Sequence, residues 1–161
     1  MNAYDVLTDH HNMLRGLGKR MLTAPAGTPE RQRCLDELLI EFDIHMRIED
    51  DLYYPAMAEA TRLIAIAHAE HRQIYDQLAV ALRTSPKSAD YDAEWKSFIT
   101  VLEAHADEEE RDLVPPPAPV DLSDEELETL GRDMAERMQL LRESRLEKFH
   151  VKARSTLLSR F

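Results

Sequence analysis

One cysteine is too few for a disulfide within the chain or for a thiolate metal cluster, and Cys34 is the single one here. That usage fits a reducing cytoplasm, and no signal peptide opens the chain. Glycine is scarce, at four residues in 161. No window alternates β-branched and polar residues as a half-buried strand does. No apolar run approaches the ~20 residues that cross a bilayer. These absences leave one cytoplasmic, all-α domain, rich in the helix formers Leu, Ala, Glu, Arg and Met. Positive charge is also in short supply: 20 Lys and Arg face 31 Asp and Glu, a net −11. Such a chain is repelled by polyanions, which argues against nucleic acid and anionic membranes as partners. Its cationic tail, with Arg142, Arg145, Lys148, Lys152, Arg154 and Arg160, reads as a solvated helix end.

Helix breakers punctuate the rest. Pro25, Gly27 and Pro29, then Pro55, then Ser85 and Pro86, and finally Pro115-Pro116-Pro117-Ala118-Pro119 interrupt segments of helical periodicity. The predicted helices span about 3–22, 30–54, 60–84 and 91–113. Short loops make neighbours antiparallel, so these four form an up-down-up-down four-helix bundle. After the prolines, Ser123 and Glu126 make a capping box, and Leu127, Leu130, Met134 and Leu141 repeat at helical spacing. This predicts an additional C-terminal fifth helix, packed outside the four.

The apolar seam of each helix carries polar residues where a core expects none. In the second helix Leu35, Leu38 and Phe42 run into His45 and Glu49 before Leu52. In the fourth, Trp95, Phe98 and Leu102 run into His105 and Glu109. The first reads Val6, His10, Met13, Leu17, and the third Ile64, His68, His71, Tyr75, Leu78, Leu82. His11 and His150 are the two histidines off these seams; His11 lies about 100° away, so His11→Ala is expected to leave metal content intact. Reflecting residue numbers through the loop centres brings all four polar layers to one height. A lone seam histidine is ordinarily a core residue satisfied by one hydrogen bond. Five at one level with two carboxylates would cost several kcal/mol each unless a cation sat among them. That many donors exceed one coordination shell, and mixed N and O ligation in a bundle core suits iron or manganese.

At these residues the chain resembles the hemerythrin-like, or HHE-domain, family, and within it the mycobacterial type. The matching pieces are Asp9-His10, His45-x-x-x-Glu49 followed by Tyr53-Tyr54-Pro55, Glu70-His71, and His105-x-x-x-Glu109. The resemblance implies that residues 1–114 form a hemerythrin-like di-iron bundle, with residues 115–161 a Pro-rich linker, fifth helix and basic tail on the same domain. It implies two non-heme iron ions with an oxo or hydroxo bridge, Glu49 and Glu109 bridging, and His10, His45, His71 and His105 as terminal ligands. His68 is a further candidate ligand: it stands three residues before His71 where oxygen carriers have four, so both can face inward while His68 sits differently around the axis. Tyr53-Tyr54 stands where the family has Leu and Phe. The ideal wheel turns Tyr53 toward Glu49 and the alignment turns Tyr54 inward, so a phenolate from Tyr54 is a candidate ligand.

The resemblance implies a reaction too, because some hemerythrin-like proteins of this bacterial group disproportionate hydrogen peroxide. The first expectation is therefore a catalase-like enzyme of oxidative-stress defence, with Glu70 or a displaced His68 beside the ligands as a proton relay. The second is a protein that binds or senses O2, nitric oxide or iron at the same centre without turnover. A third, from another class, is a metal-free helical interaction module. A monomer or weak homodimer fits each of them.

Overall fold

The computed structural model describes the backbone of residues 1–158 and the side chains of residues 1–145. Among the described residues the chain is all helix: α1 (Ala3–Thr23), α2 (Pro29–Ile48), a π-helical turn (Glu49–Tyr53), α3 (Tyr54–Ala56), α4 (Thr61–Arg83), α5 (Tyr91–Asp112) and α6 (Asp124–Leu158). The caps are local and explicable. Asn2 accepts from the Asp5 amide while Asp5 reaches back to the Asn2 amide, closing a box over the start of α1. Thr28 caps α2, with Pro29 in the first turn where its missing N–H costs nothing. Ser123 and Glu126 bond reciprocally at the start of α6, as the sequence predicts.

α1, α2, α4 and α5 form the bundle, and α6 lies across the outside of α1 and α2. Two apolar clusters fill the interior. One joins Leu17, Met21, Leu38, Phe42, Ile74, Trp95 and Phe98 toward one end. The other joins Leu7, Ile44, Ile48, Tyr53, Tyr54 and Met57 to Leu127, Met134 and Met138 of α6. The second cluster is why the fifth helix stays: its apolar stripe closes over the N-terminal half of α1. Gly131 makes that approach possible, since a Cβ there would lie 2.6 Å from the Met1 carbonyl oxygen. No helix is long and apolar enough to cross a membrane among the described residues.

Two seams differ from the sequence reading. In α1 the buried face includes Leu7, His11, Leu14, Gly18 and Met21 as well as Val6, His10 and Leu17, while Met13 is exposed. α1 is covered on two sides, by the bundle and by α6, so its apolar arc is wider than one stripe. In α4 the buried positions are Ala67, His71, Ile74 and Ala81, whereas Tyr75 and Leu82 are exposed. Small residues take the close contacts there, and the larger ones flank them. The cationic tail is not merely solvated: Arg142 pairs with Glu41 and Arg145 with Asp43, both on α2. The side chains of Lys148, His150, Lys152, Arg154 and Arg160 lie outside the described residues.

Candidate metal centre

Between the two apolar clusters lies a buried polar layer built from α1, α2, the π turn, α4 and α5. His11, His45, Glu49, His71, His105 and Glu109 are each 4% exposed or less. They form two ligand-like groups that share one carboxylate. The first is His11, His45, Glu49 and Glu109; the second is Glu49, His71 and His105. Glu49 Oε1 lies 2.8 Å from His45 Nε2 and 3.6 Å from His11 Nε2. Its Oε2 lies 2.9 Å from His71 Nε2 and 3.6 Å from His105 Nε2. The two oxygens of one carboxylate thus face two separate positions.

Three of the four imidazoles, His11, His45 and His105, are held from behind by their other nitrogen. His105 Nδ1 donates to Glu70 at 2.6 Å, and His11 Nδ1 donates to Glu110 at 2.9 Å, with Arg15 fixing Glu110. His45 is held by a longer chain. Arg142 Nε and Nη2 donate to the two oxygens of Glu41, His10 Nε2 donates to Glu41 Oε2 at 2.9 Å, and His10 Nδ1 faces His45 Nδ1 at 3.2 Å. With His10 donating through Nε2, its Nδ1 accepts from His45 and leaves the His45 Nε2 lone pair aimed inward. Such backing fixes tautomer and ring orientation at metal sites.

The inward atoms of the first group lack such partners. His11 Nε2, His45 Nε2, Glu49 Oε1 and both oxygens of Glu109 are buried without a hydrogen bond. Some stand close together, as His11 Nε2 and Glu109 Oε2 do at 3.1 Å, but at angles wrong for a hydrogen bond. An unsatisfied buried polar atom costs ~1–3 kcal/mol, so this set is comparable with the whole stability of a domain. Cations accepting these lone pairs remove that cost. The donor set, imidazole and carboxylate with no thiolate, fits iron or manganese.

Tyr54 owes its position to the π turn. The turn bonds the Tyr54 amide to the Glu49 carbonyl, so the residue five places on stands over Glu49. Its hydroxyl lies 3.2 Å from Glu49 Oε2 and 3.0 Å from His71 Nε2. The wider turn faces Tyr53 inward as well, where it donates to the Leu113 carbonyl at 2.6 Å. Both tyrosines are buried, but it is Tyr54 that stands over Glu49, while Tyr53 turns its hydroxyl to Leu113.

Two expected site residues are placed elsewhere. His10 is buried, but both its ring nitrogens are engaged by Glu41 and His45, so it backs the centre rather than facing it. His11 takes the inward position assigned to His10, because α1 turns Leu7, His11, Leu14 and Gly18 to the bundle. A stripe of Leu7, Leu14 and Met21 running through His11 was the available signal. His68 also stands off: its side chain is 46% exposed, and its nearest carboxylate is Asp50.

Protons compete for the same lone pairs. Burial opposes charge on His11, but Glu109 and Glu49 outweigh it and raise its pKa to about 9. Burial likewise opposes charge on His71 and His105, yet the neighbouring carboxylates raise them to about 9 and about 10. Burial dominates at His45, lowering it to about 3, and at Glu109, raised to about 7 by burial and by Glu49. At neutral pH, metal loading must therefore displace protons from His11, His71 and His105. Affinity should rise with pH toward 9–10 and fall as pH drops, by roughly tenfold per unit for each proton displaced. Chelator competition at several pH values checks this; a pH-independent affinity would contradict it.

A four-helix bundle with paired His/Glu groups sharing one carboxylate at mid-height is the architecture of a cation-binding, hemerythrin-like protein. The family profile described as "Hemerythrin HHE cation binding domain" matches residues 2–116, and the chain belongs to that family. Uncharacterized proteins of Mycobacterium tuberculosis and Mycobacterium bovis are 54% identical to it over 158 residues, covering 98% of both chains. A crystal structure of a hemerythrin HHE cation binding domain-containing protein from Mycobacterium kansasii superposes with a TM-score of 0.90. It is 56% identical and covers 100% of this chain and 99% of its own.

Proposed function

We propose that this protein holds two non-heme iron ions with an oxo or hydroxo bridge and disproportionates hydrogen peroxide, in the manner of a catalase. The observation that carries the reading is the sharing of Glu49: Oε1 serves the His11/His45/Glu109 group and Oε2 the His71/His105 group, as a bridge between two ions would require. Two irons side by side supply a two-electron couple, which matches 2 H2O2 → 2 H2O + O2. The protein's own groups supply the rest. The Tyr54 hydroxyl, 3.2 Å from Glu49, closes one side of the second position. Glu70, bonded to His105 and partly exposed, offers a carboxylate at the edge through which protons pass to and from solvent.

Size supports a small substrate. Between α4 and α5 a cavity of about 20 Å³, lined by Glu70, His105, Glu109 and Leu113 among others, reaches the centre. That is room for a molecule near the size of water, such as H2O2, O2 or nitric oxide. The same narrow access favours the second reading, binding or sensing of O2, nitric oxide or iron without turnover.

Metal analysis with the visible spectrum of the purified protein, then added peroxide, tests the reading. About two irons per chain, bridge bands and evolved oxygen are expected. Two irons without oxygen leave the binding or sensing reading, and no metal removes both. Burial pushes the Tyr54 hydroxyl far above its ordinary pKa, so only a cation beside it would ionise it. If Tyr54 coordinates, Tyr54→Phe removes a phenolate-to-iron charge-transfer band; an unchanged visible spectrum excludes it as a ligand.

A further inference from the structure

We propose that Asp50, His68 and the outer nitrogen of His71 form a third cation site, which takes a divalent first-row metal ion on its way to the buried pair. The proposal rests on the inner centre holding metal. His68 lies one turn before His71 on α4, and the π turn sets Asp50 opposite both. His68 Nδ1 is 3.5 Å and His71 Nδ1 3.4 Å from the same oxygen, Asp50 Oδ1. Neither pair is hydrogen-bonded. The spacing instead resembles that of neighbouring donors around one ion with bonds of ~2.0–2.2 Å. Three such atoms, one from each residue, lie within 4.8 Å of one another.

The second observation is an orphan. His71 is 4% exposed, and its Nδ1 is buried with no hydrogen-bond partner. Every other inward-facing imidazole has its second nitrogen engaged by Glu70, Glu110 or His10. His71 alone presents Nε2 to Glu49 and an unsatisfied Nδ1 to Asp50. A cation at the outer position satisfies that nitrogen.

Exposure suits a receiving site. Asp50 and His68 side chains are 43% and 46% exposed, so a hydrated ion reaches them and keeps water on its open side. The inner ligands are sealed. His71 belongs to both groups, and an ion moving inward exchanges Asp50 and His68 for Glu49 and His105 while staying beside it. Two imidazoles and a carboxylate suit Fe2+ and its neighbours. The step is ligand exchange with no change of oxidation state, and the single ring proton of His71 is the group that moves. A lone ion at Nδ1 leaves that proton on Nε2, and on inward transfer the proton passes through water to Nδ1. When the inner ion already holds Nε2, binding at Nδ1 releases the proton to solvent and makes His71 a bridging imidazolate, which keeps the third equivalent weak.

The test is anaerobic calorimetric titration of metal-stripped, full-length protein with Fe2+, alongside His68→Ala and Asp50→Asn. Both side chains are half-exposed, so neither change disturbs the core. Wild type should bind a third, weaker equivalent that both variants lose while keeping the other two. Stopped-flow growth of the inner-centre spectrum on mixing with Fe2+ and air should slow by roughly tenfold or more in both, the scale of an outer metal partner. Two equivalents in wild type, a third retained in both variants, or unchanged loading rates would overturn the outer site alone. Loss of an inner equivalent in His68→Ala would overturn it by placing His68 in the buried centre. No binding at all would bring down the inner centre as well.

Discussion

Glu49→Ala should take the metal content from about two ions per chain to nearly none. Glu49 is the one residue common to both buried groups, and each oxygen serves a different one. It is fully buried, and its carboxyl is held well below the usual range: burial opposes ionisation, but His45, His105 and His11 outweigh it. Removing it leaves His71 and His105 facing each other with their nearest inner anion gone. Breaking a buried charged pair by deleting one partner costs ~3–5 kcal/mol, so the alanine variant needs a control for folding. Glu49→Gln keeps the shape and loses the charge. Metal analysis of both, with far-UV circular dichroism to show that the helices persist, decides the matter. Full occupancy in a folded Glu49→Ala would remove the shared-carboxylate assignment.

The second large effect separates two adjacent histidines. His11→Ala should weaken one of the two ions by well over the ~10–100-fold that an outer partner contributes, because it deletes an atom facing the first group. His10→Ala should stay within that range. Its nitrogens already serve Glu41 and His45, so its loss loosens the orientation of His45 and deletes nothing that points at the metal. Titration of each variant in metal-buffered solution distinguishes them. If His10→Ala lost an ion and His11→Ala kept both, the orientation of α1 would be wrong. This reverses the expectation from the helical wheel, which placed His11 about 100° off the inner stripe.

The reversal shows what the sequence carried. α2 and α5 were legible because their seams are large and unambiguous: Leu35, Leu38 and Phe42 lead to His45 and Glu49, and Trp95, Phe98 and Leu102 lead to His105 and Glu109, all buried. α1 was ambiguous because α6 covers its far side, and Val6 and Leu7 are both buried as a result. A wheel drawn for a one-sided helix cannot choose between His10 and His11. α4 hid its seam in alanines, which carry little hydrophobic signal, and so His68 looked inward beside Tyr75 and Leu82. The placement of both tyrosines depends on a π turn, a departure from 3.6 residues per turn that no periodicity scan assumes. The ring of outer partners, Glu41, Glu110 and Arg142, could not be read at all, since it depends on which helices adjoin.

The chain from Arg142 through Glu41 and His10 to His45 has a thermodynamic consequence. Arg142 belongs to α6, outside the bundle, and it grips the carboxylate that orients an inner imidazole. Seating of the last helix and occupancy of the centre are therefore linked functions. Whatever free energy α6 contributes to metal affinity, the metal returns in equal measure to the seating of α6. A ligand that drew α6 away would loosen the ion from outside the bundle, without contacting it.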